Sequence, residues 1–404
     1  MKTYPVKFYN DKMQGAPTHE VGGLKQLINT LTPVLVTGFG ETVCDSLVFD
    51  ATKGWAKATF ASGHKFQKHS VIEILNASVG DYNGEHRIML IDTNNVWFEL
   101  DTVPSGDATG SSMKYPSLGW EITHESGDGE QVIYAPQGNQ GDVSLYVDNS
   151  EYSGVTVSYG RNARVIMVTD VVDINTWVKC FTDNGSGDYW QSSGNKDTNI
   201  NGKGEDFLAW QLIGNGSIFN YLVVDGNNNY KYSGYTAGYV NSYRVADRFH
   251  FVIAGGTAIN APAQGNAWAS KSTTSNSFQI ARDHHQQAGS CVAFVPQRSA
   301  IDDNDNMSGS SPNLVDNGFY LSQGNELVFT KAGSAYMAQS STVNFNIRGD
   351  MPILREAFFN MDSCFIEKNS KLTLIENRCS TQYTTSTGSG YVRTCAFDIS
   401  TVEV

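Results

Sequence analysis

The side chains able to do chemistry fall in a few places. His284-His285 follows Asp283. Successive side chains on a strand point to opposite faces, so two adjacent imidazoles share one metal ion only across a bulge. Asp302-Asp-Asn-Asp-Asn-Met-Ser-Gly has the acid and amide alternation that opens a calcium loop. Such a loop turns on a glycine at its sixth position and closes with a glutamate at its twelfth. Met307 and Asn313 stand there instead, so the run reads as an acidic loop. His64 and His69 flank Phe66 with no carboxylate partner evident in the local sequence, which suits capping of backbone groups better than proton transfer. Asp225 and Asp247 would have to approach within about 5–5.5 Å to work as a retaining glycosidase pair. No phosphate-binding loop, nucleophile elbow, HExxH helix or dinucleotide fingerprint is present. The chain is therefore expected to be no enzyme, with no cofactor and no metal.

Aromatic side chains offer a different chemistry. Tyr221, Tyr230, Tyr232, Tyr235, Tyr239 and Tyr243 crowd one stretch rich in Gly, Asn and Ser. Tyrosine supplies contact area at low conformational cost, so this stretch is the candidate contact surface. The alternative is a set of sheet-surface and core tyrosines.

The elements that must hold these residues are mostly strands. Leu24, Leu27, Ile28 and Leu31 form one apolar helical stripe, with Pro33 expected to stop it soon after. That helix is marginal alone, so the first 35 residues are expected to dock on a neighbouring subunit or an adjacent module. Elsewhere the period is two, broken by Gly and Asn. Strands are expected at 46–49, 55–60, 71–75, 87–92 and 96–100. Asn83-Gly84 and Asn94-Asn95 provide tight-turn chemistry between the later ones. Five short strands in so few residues bury little as a flat sheet. A small closed barrel over 36–104, with Trp55, Phe60, Val71, Ile88 and Phe98 inside, is the expected solution.

Pro104 to Ser112 is small and polar, as linkers are. Beyond it strands are expected at 131–135, 143–147, 155–159, 164–168, 207–213, 219–224, 248–253, 277–281 and 291–296. This recurrence suggests β-sandwich-like packing over 105–260 and a β-rich region over 261–404. A short helix is expected near 352–359, and long loops at 255–275 and 301–313. The fold class is thus mainly β: a short N-terminal helix, a small barrel, then one or two sandwich-like domains.

Composition narrows the partners. The 404 residues carry 28 basic against 41 acidic side chains, a net charge of −13. Nucleic-acid binding draws its affinity from Lys and Arg, so it is excluded as an expectation. No apolar run reaches the roughly 18 residues of a membrane span, and the opening segment has no signal-peptide core. Six scattered cysteines include no CxxC pair, against the usual zinc spacings. They are expected to be reduced thiols, a disulfide among the last three being the alternative.

The opening Met-Lys-Thr-Tyr-Pro-Val-Lys-Phe-Tyr-Asn-Asp-Lys, followed by Val36-Thr-Gly-Phe-Gly, resembles virion structural proteins of tailed bacteriophages. Ser62-Gly-His-Lys-Phe and Tyr82-Asn-Gly-Glu-His-Arg resemble the small β-barrel module named after the first catalytic-cysteine half-domain of ubiquitin-activating enzymes, used in phages as a structural insert. The likeness is patchier later, through Ala209-Trp-Gln-Leu-Ile-Gly-Asn-Gly and Ile347-Arg-Gly-Asp-Met-Pro. It departs from the family pattern at Ile353 and at the end of the chain. The resemblance implies a virion component of the tail, tail tip or baseplate, built in the bacterial cytoplasm. Its partners would be other virion proteins and further copies of itself. A head-associated role and a receptor- or carbohydrate-binding role are the alternatives.

Overall fold

The computed structural model describes residues 2–18, 25–138, 140–150, 163–180, 189–190, 209–224, 232–242, 245–254, 279–281, 291–292, 326–328, 330–331, 347–350, 352–356, 364–368, 371–380 and 392–403. The chain is mainly β. The expected strand at 155–159, both long loops, His284-His285 and the 302–313 run lie outside the described residues.

Two short strands open the chain, β1 (Lys2–Thr3) and β2 (Lys7–Asn10), followed by helix α1 (Gln26–Thr32). Leu27, Ile28 and Leu31 are buried, as the stripe requires, while Leu24 lies outside the described residues. Lys25, at φ +61°, gives α1 no side-chain cap. Asn149 does so from afar, its Oδ1 accepting the Leu27 N–H at 2.9 Å. Pro33 does not stop the helix. It lacks a donor but keeps its carbonyl, which accepts the Gly38 N–H at 2.8 Å and widens Pro33–Thr37 into a π-turn. Gly38 ends it at φ +73°, where a Cβ would lie 2.5 Å from the Tyr115 carbonyl oxygen.

The barrel is built from β3 (Phe39–Val43), β4 (Ser46–Asp50), β5 (Trp55–Thr59), β6 (Val71–Leu75), β7 (Gly84–Ile91), β8 (Asn95–Phe98) and β9 (Ser112–Tyr115). Their order is β3-β9-β6-β7-β8-β5-β4. The two ends of this order, β3 and β4, are consecutive in the chain, and a Leu47–Ala108 bridge ties β4 to the segment leading into β9. Phe60, Ile88 and Phe98 join the apolar core as expected and Trp55 is half-buried, whereas Val71 is buried outside that core, which Ile72 and Ile74 of the same strand enter instead. The polar stretch after Pro104 leads into β9, which pairs with both β3 and β6.

A second sheet comprises β10 (Glu121–Glu125), β11 (Gln131–Ala135), β12 (Ser144–Asp148), β13 (Ala163–Asp173), β14 (Thr176–Lys179) and β15 (Tyr189–Trp190). Its inner face presents Val132, Tyr134, Leu145, Val147, Val165 and Met167 to the main core.

The central sheet follows. It runs β2, β16 (Trp210–Gly214), β17 (Ile218–Val224), β18 (Tyr232–Tyr239), β20 (Phe251–Ala254), β21 (Gln279–Ile280), β22 (Cys291–Val292) and β24 (Thr330–Lys331). Between these in the chain, β19 (Asn241–Ser242) and β23 (Glu326–Val328) pair with β25 (Ile347–Asp350) in a small separate sheet. Residues 354–356, expected as helix, form strand β26 (Leu354–Glu356) instead. It pairs with β29 (Val392–Asp398), and β27 (Cys364–Lys368) and β28 (Lys371–Ser380) complete that group. The chain closes with β30 (Val402–Glu403), antiparallel to β1.

Strand β2 is a working member of the central sheet, Lys7 pairing with Gly214 and Asn10 with Gln211. The N-terminal arm thus docks on an adjacent module of its own chain. Lys7 bridges that sheet to the barrel, its Nζ 2.6 Å from Glu85 Oε1 and 3.0 Å from the Ser117 carbonyl oxygen.

Candidate functional site

Period two puts Tyr235, Ala237 and Tyr239 on one face of β18, and the register sets Tyr221 of β17 directly opposite Tyr235. That face is turned inward. Tyr221, Tyr235 and Tyr239 are all buried, so these three rings do not form an exposed contact surface. Tyr232 lies on β18, while Tyr230 and Tyr243 are outside the described residues.

Trp190 explains why the face is aromatic. It stacks on Tyr235 at 5.0 Å between ring centroids and meets Phe219 edge-on at 6.2 Å. Tyr221 stacks on Tyr235 at 6.0 Å. Offset-stacked and edge-on rings are favoured arrangements, and these fill the space between the central and second sheets. Burial pushes the Tyr221 hydroxyl well above its ordinary pKa, so it stays protonated.

Tyr239 works as a staple between the same two sheets. Its hydroxyl accepts the Val143 N–H at 2.8 Å and donates to the Val143 carbonyl oxygen at 2.9 Å. Beside it Arg248 holds Asp142 with two guanidinium nitrogens, one at 2.7 Å. Asp247 is buried and capping: its carboxylate accepts from Ser242 Oγ at 2.8 Å and from the Phe249 N–H at 3.1 Å. His250 Nδ1 stands 4.0 Å from the same carboxylate. A nucleophile relay needs serine bonded to histidine, whereas here the Ser242 hydroxyl is given to the acid. Asp225, the other candidate carboxylate, lies outside the described residues.

The barrel histidines are structural too. His64 Nδ1 accepts the Phe66 N–H at 3.1 Å, which leaves Nε2 to donate to the Asn95 carbonyl at 3.1 Å. His69 is buried at φ +69°, its ring 5.0 Å from Phe365. Burial, with Lys68 and Arg87 adding repulsion, lowers its pKa to about 4. Cys44 is a buried free thiol whose pKa burial pushes up to about 11, which suppresses its reactivity. Among the described residues no cluster of three or more His, Cys, Asp or Glu could hold a metal ion.

The His69 environment gives a testable acid response. An unfolded histidine titrates near about 6.5, so between there and about 4 the unfolded state takes up a proton that the native state refuses. Its contribution to stability is complete above that window and is lost as the pH falls through it. His69→Asn, which tolerates the left-handed backbone, removes this titration. The urea midpoint of the wild type should therefore fall more steeply from pH 6.5 to 4 than that of the variant. Equal slopes would refute the assignment. His86, also lowered by burial, contributes the same sign in both proteins.

Two features were missed by sequence reasoning. Arg87 ends the Asn-Gly-Glu-His-Arg run, yet nothing in that run marks it as the junction of three chain regions. The β13–β14 hairpin did carry a mark: Asp173 and Asn175 are turn residues set between Val171-Val172 and Trp177-Val178. No family model matches the chain, and no curated protein matches it at significant similarity.

Proposed function

We propose that the chain is a structural component of a tailed-bacteriophage virion, in the tail, its tip or the baseplate, acting through symmetric protein–protein assembly. The supporting observation is the barrel. The motifs that resemble the phage insert module fall in a barrel-like seven-stranded antiparallel sheet over Phe39–Tyr115, whose two end strands are consecutive in the chain. Within it His64, from the resembling motif, is spent on backbone hydrogen bonds. The low share of charged residues, 17%, suits a surface meant to be covered by neighbours.

The sheets also suit a mechanical part. The barrel, the second sheet and the central sheet share one continuous apolar core, and the first and last strands pair with each other. Load applied at one module is thereby passed to the others through buried contacts.

The test is to tag this chain in the encoding phage, purify the particles and label the tag for electron microscopy. Label at the tail or its tip is expected, in a fixed number of copies per particle. Particles without the chain, or label confined to the head, would overturn the reading.

A further inference from the structure

The β13–β14 hairpin forms an edge of the second sheet, and Val172, Asp173, Asn175 and Thr176 around its turn are exposed. Its pairing shifts register between Thr169 and Asp173, and Asp170 takes φ +50°, a conformation uncommon outside glycine. Such a bulge re-aims a strand. The re-aimed hairpin folds back over the outer face of its own sheet. Val171, Ile174 and Trp177 pack there against a small cluster of Ile133, Tyr146, Ile166 and Val168. The Trp177 ring lies 5.0 Å from that of Tyr146.

The tip is held by its own hydrogen bonds. The Asp173 carboxylate accepts the Asn175 N–H at 2.8 Å and the Thr176 hydroxyl at 3.1 Å. Trp177 Nε1 donates to the Ile174 carbonyl at 3.1 Å. This pre-formed hairpin nevertheless leaves Val172 71% and Val178 50% exposed. Two valines held out on a pre-organised turn can enter a socket with little ordering cost.

Charge says what kind of socket. Asp170 and Asp173 are exposed at the tip. Residues 118–180 hold nine Asp and Glu against three Lys and Arg. A second copy of the chain would bring like charge against like. An anionic bilayer would repel the tip, and any bilayer would have to desolvate its two carboxylates. A surface with Lys or Arg around an apolar centre meets all these groups at once.

We propose that the β13–β14 hairpin is a docking tip for a different protein of the assembly, one offering an apolar socket bordered by Lys or Arg. This rests on the assembly reading above. The experiment places the photo-crosslinker benzoylphenylalanine at Val172, and as a control at the exposed barrel residue Val103, in the full chain within purified particles. The cross-linked peptides are then sequenced. Expected is a Val172-specific cross-link to another particle protein, at an apolar peptide flanked by basic residues. Yield should drop about tenfold in the Asp170→Asn/Asp173→Asn double variant, which keeps acceptors for the turn but loses both charges. Cross-links to a second copy or to lipid, no cross-link from particles that contain the chain, or a yield indifferent to the double variant would overturn this inference alone. Particles lacking the chain would overturn the assembly reading and this inference with it.

Discussion

Replacing Arg87 with alanine is expected to destabilise the protein by about 3–5 kcal/mol, far beyond a surface substitution. Arg87 is only 3% exposed, and its guanidinium is the group that bridges the junction. It donates to the His69 carbonyl at 2.8 Å, to the Ile399 carbonyl at 2.6 Å and to Thr401 Oγ1 at 3.3 Å. It also lies over the Tyr4 ring, 5.3 Å from its centroid. One side chain of the barrel thus grips the segment leading into β30 and the arm between β1 and β2. Alanine strands two carbonyl oxygens in a dry junction, and such orphaned acceptors carry the larger part of the cost. Lys2 adds to the same clasp, its Nζ paired with Glu99 and its backbone N–H held by Asp101. Arg87→Lys should recover little, because a point charge cannot serve three acceptors in fixed directions. Urea unfolding gives the energy, and hydrogen exchange should show residues 392–403 opening first. A loss below about 1 kcal/mol would mean that the junction is held elsewhere.

The barrel was largely legible because its short apolar-rich strands are separated by Asn and Gly turns. Val71–Leu75 in the barrel and Gln131–Ala135 in the second sheet appear with the bounds that the apolar runs between turn residues suggested. The helix expected near 352–359 fails for a tertiary reason. Ile353 adopts φ +76°, incompatible with a continuing helix, and Leu354–Glu356 gains a ladder with β29. Arg87 was illegible because its partners Ile399 and Thr401 lie over 300 residues away in sequence. The tyrosine stretch shows a subtler limit. Gly, Asn and Ser around an aromatic suggest a surface, yet Gly234 and Gly238 stand in β18 itself, and Gly238 is there for close packing. A Cβ on it would fall 2.4 Å from Ile218 Cα. Composition could not tell a wet loop from a tightly packed strand. Register could, once Tyr221 was paired with Tyr235.

That pairing sets the second large effect: Tyr235→Ala should unfold the central sheet more easily rather than weaken association. Removing a fully buried aromatic costs about 3–5 kcal/mol, through lost burial and through the cavity left behind. Here the cavity would open between Trp190 and Tyr221, each stacked on the missing ring. Neither ring can follow it freely, because Tyr221 is fixed in β17 and Trp190 in β15. Tyr235→Phe separates the contributions, keeping the stack while giving up the hydroxyl, at a cost of about 0.5–1.5 kcal/mol. The alanine variant should lower the urea midpoint with an unchanged denaturant slope, the signature of a stability change in an otherwise intact fold. Sedimentation under native conditions should find its self-association equal to that of the wild type. If alanine instead left the midpoint in place and reduced association, Tyr235 would be acting at a surface, and the inward face of β18 would have to be abandoned.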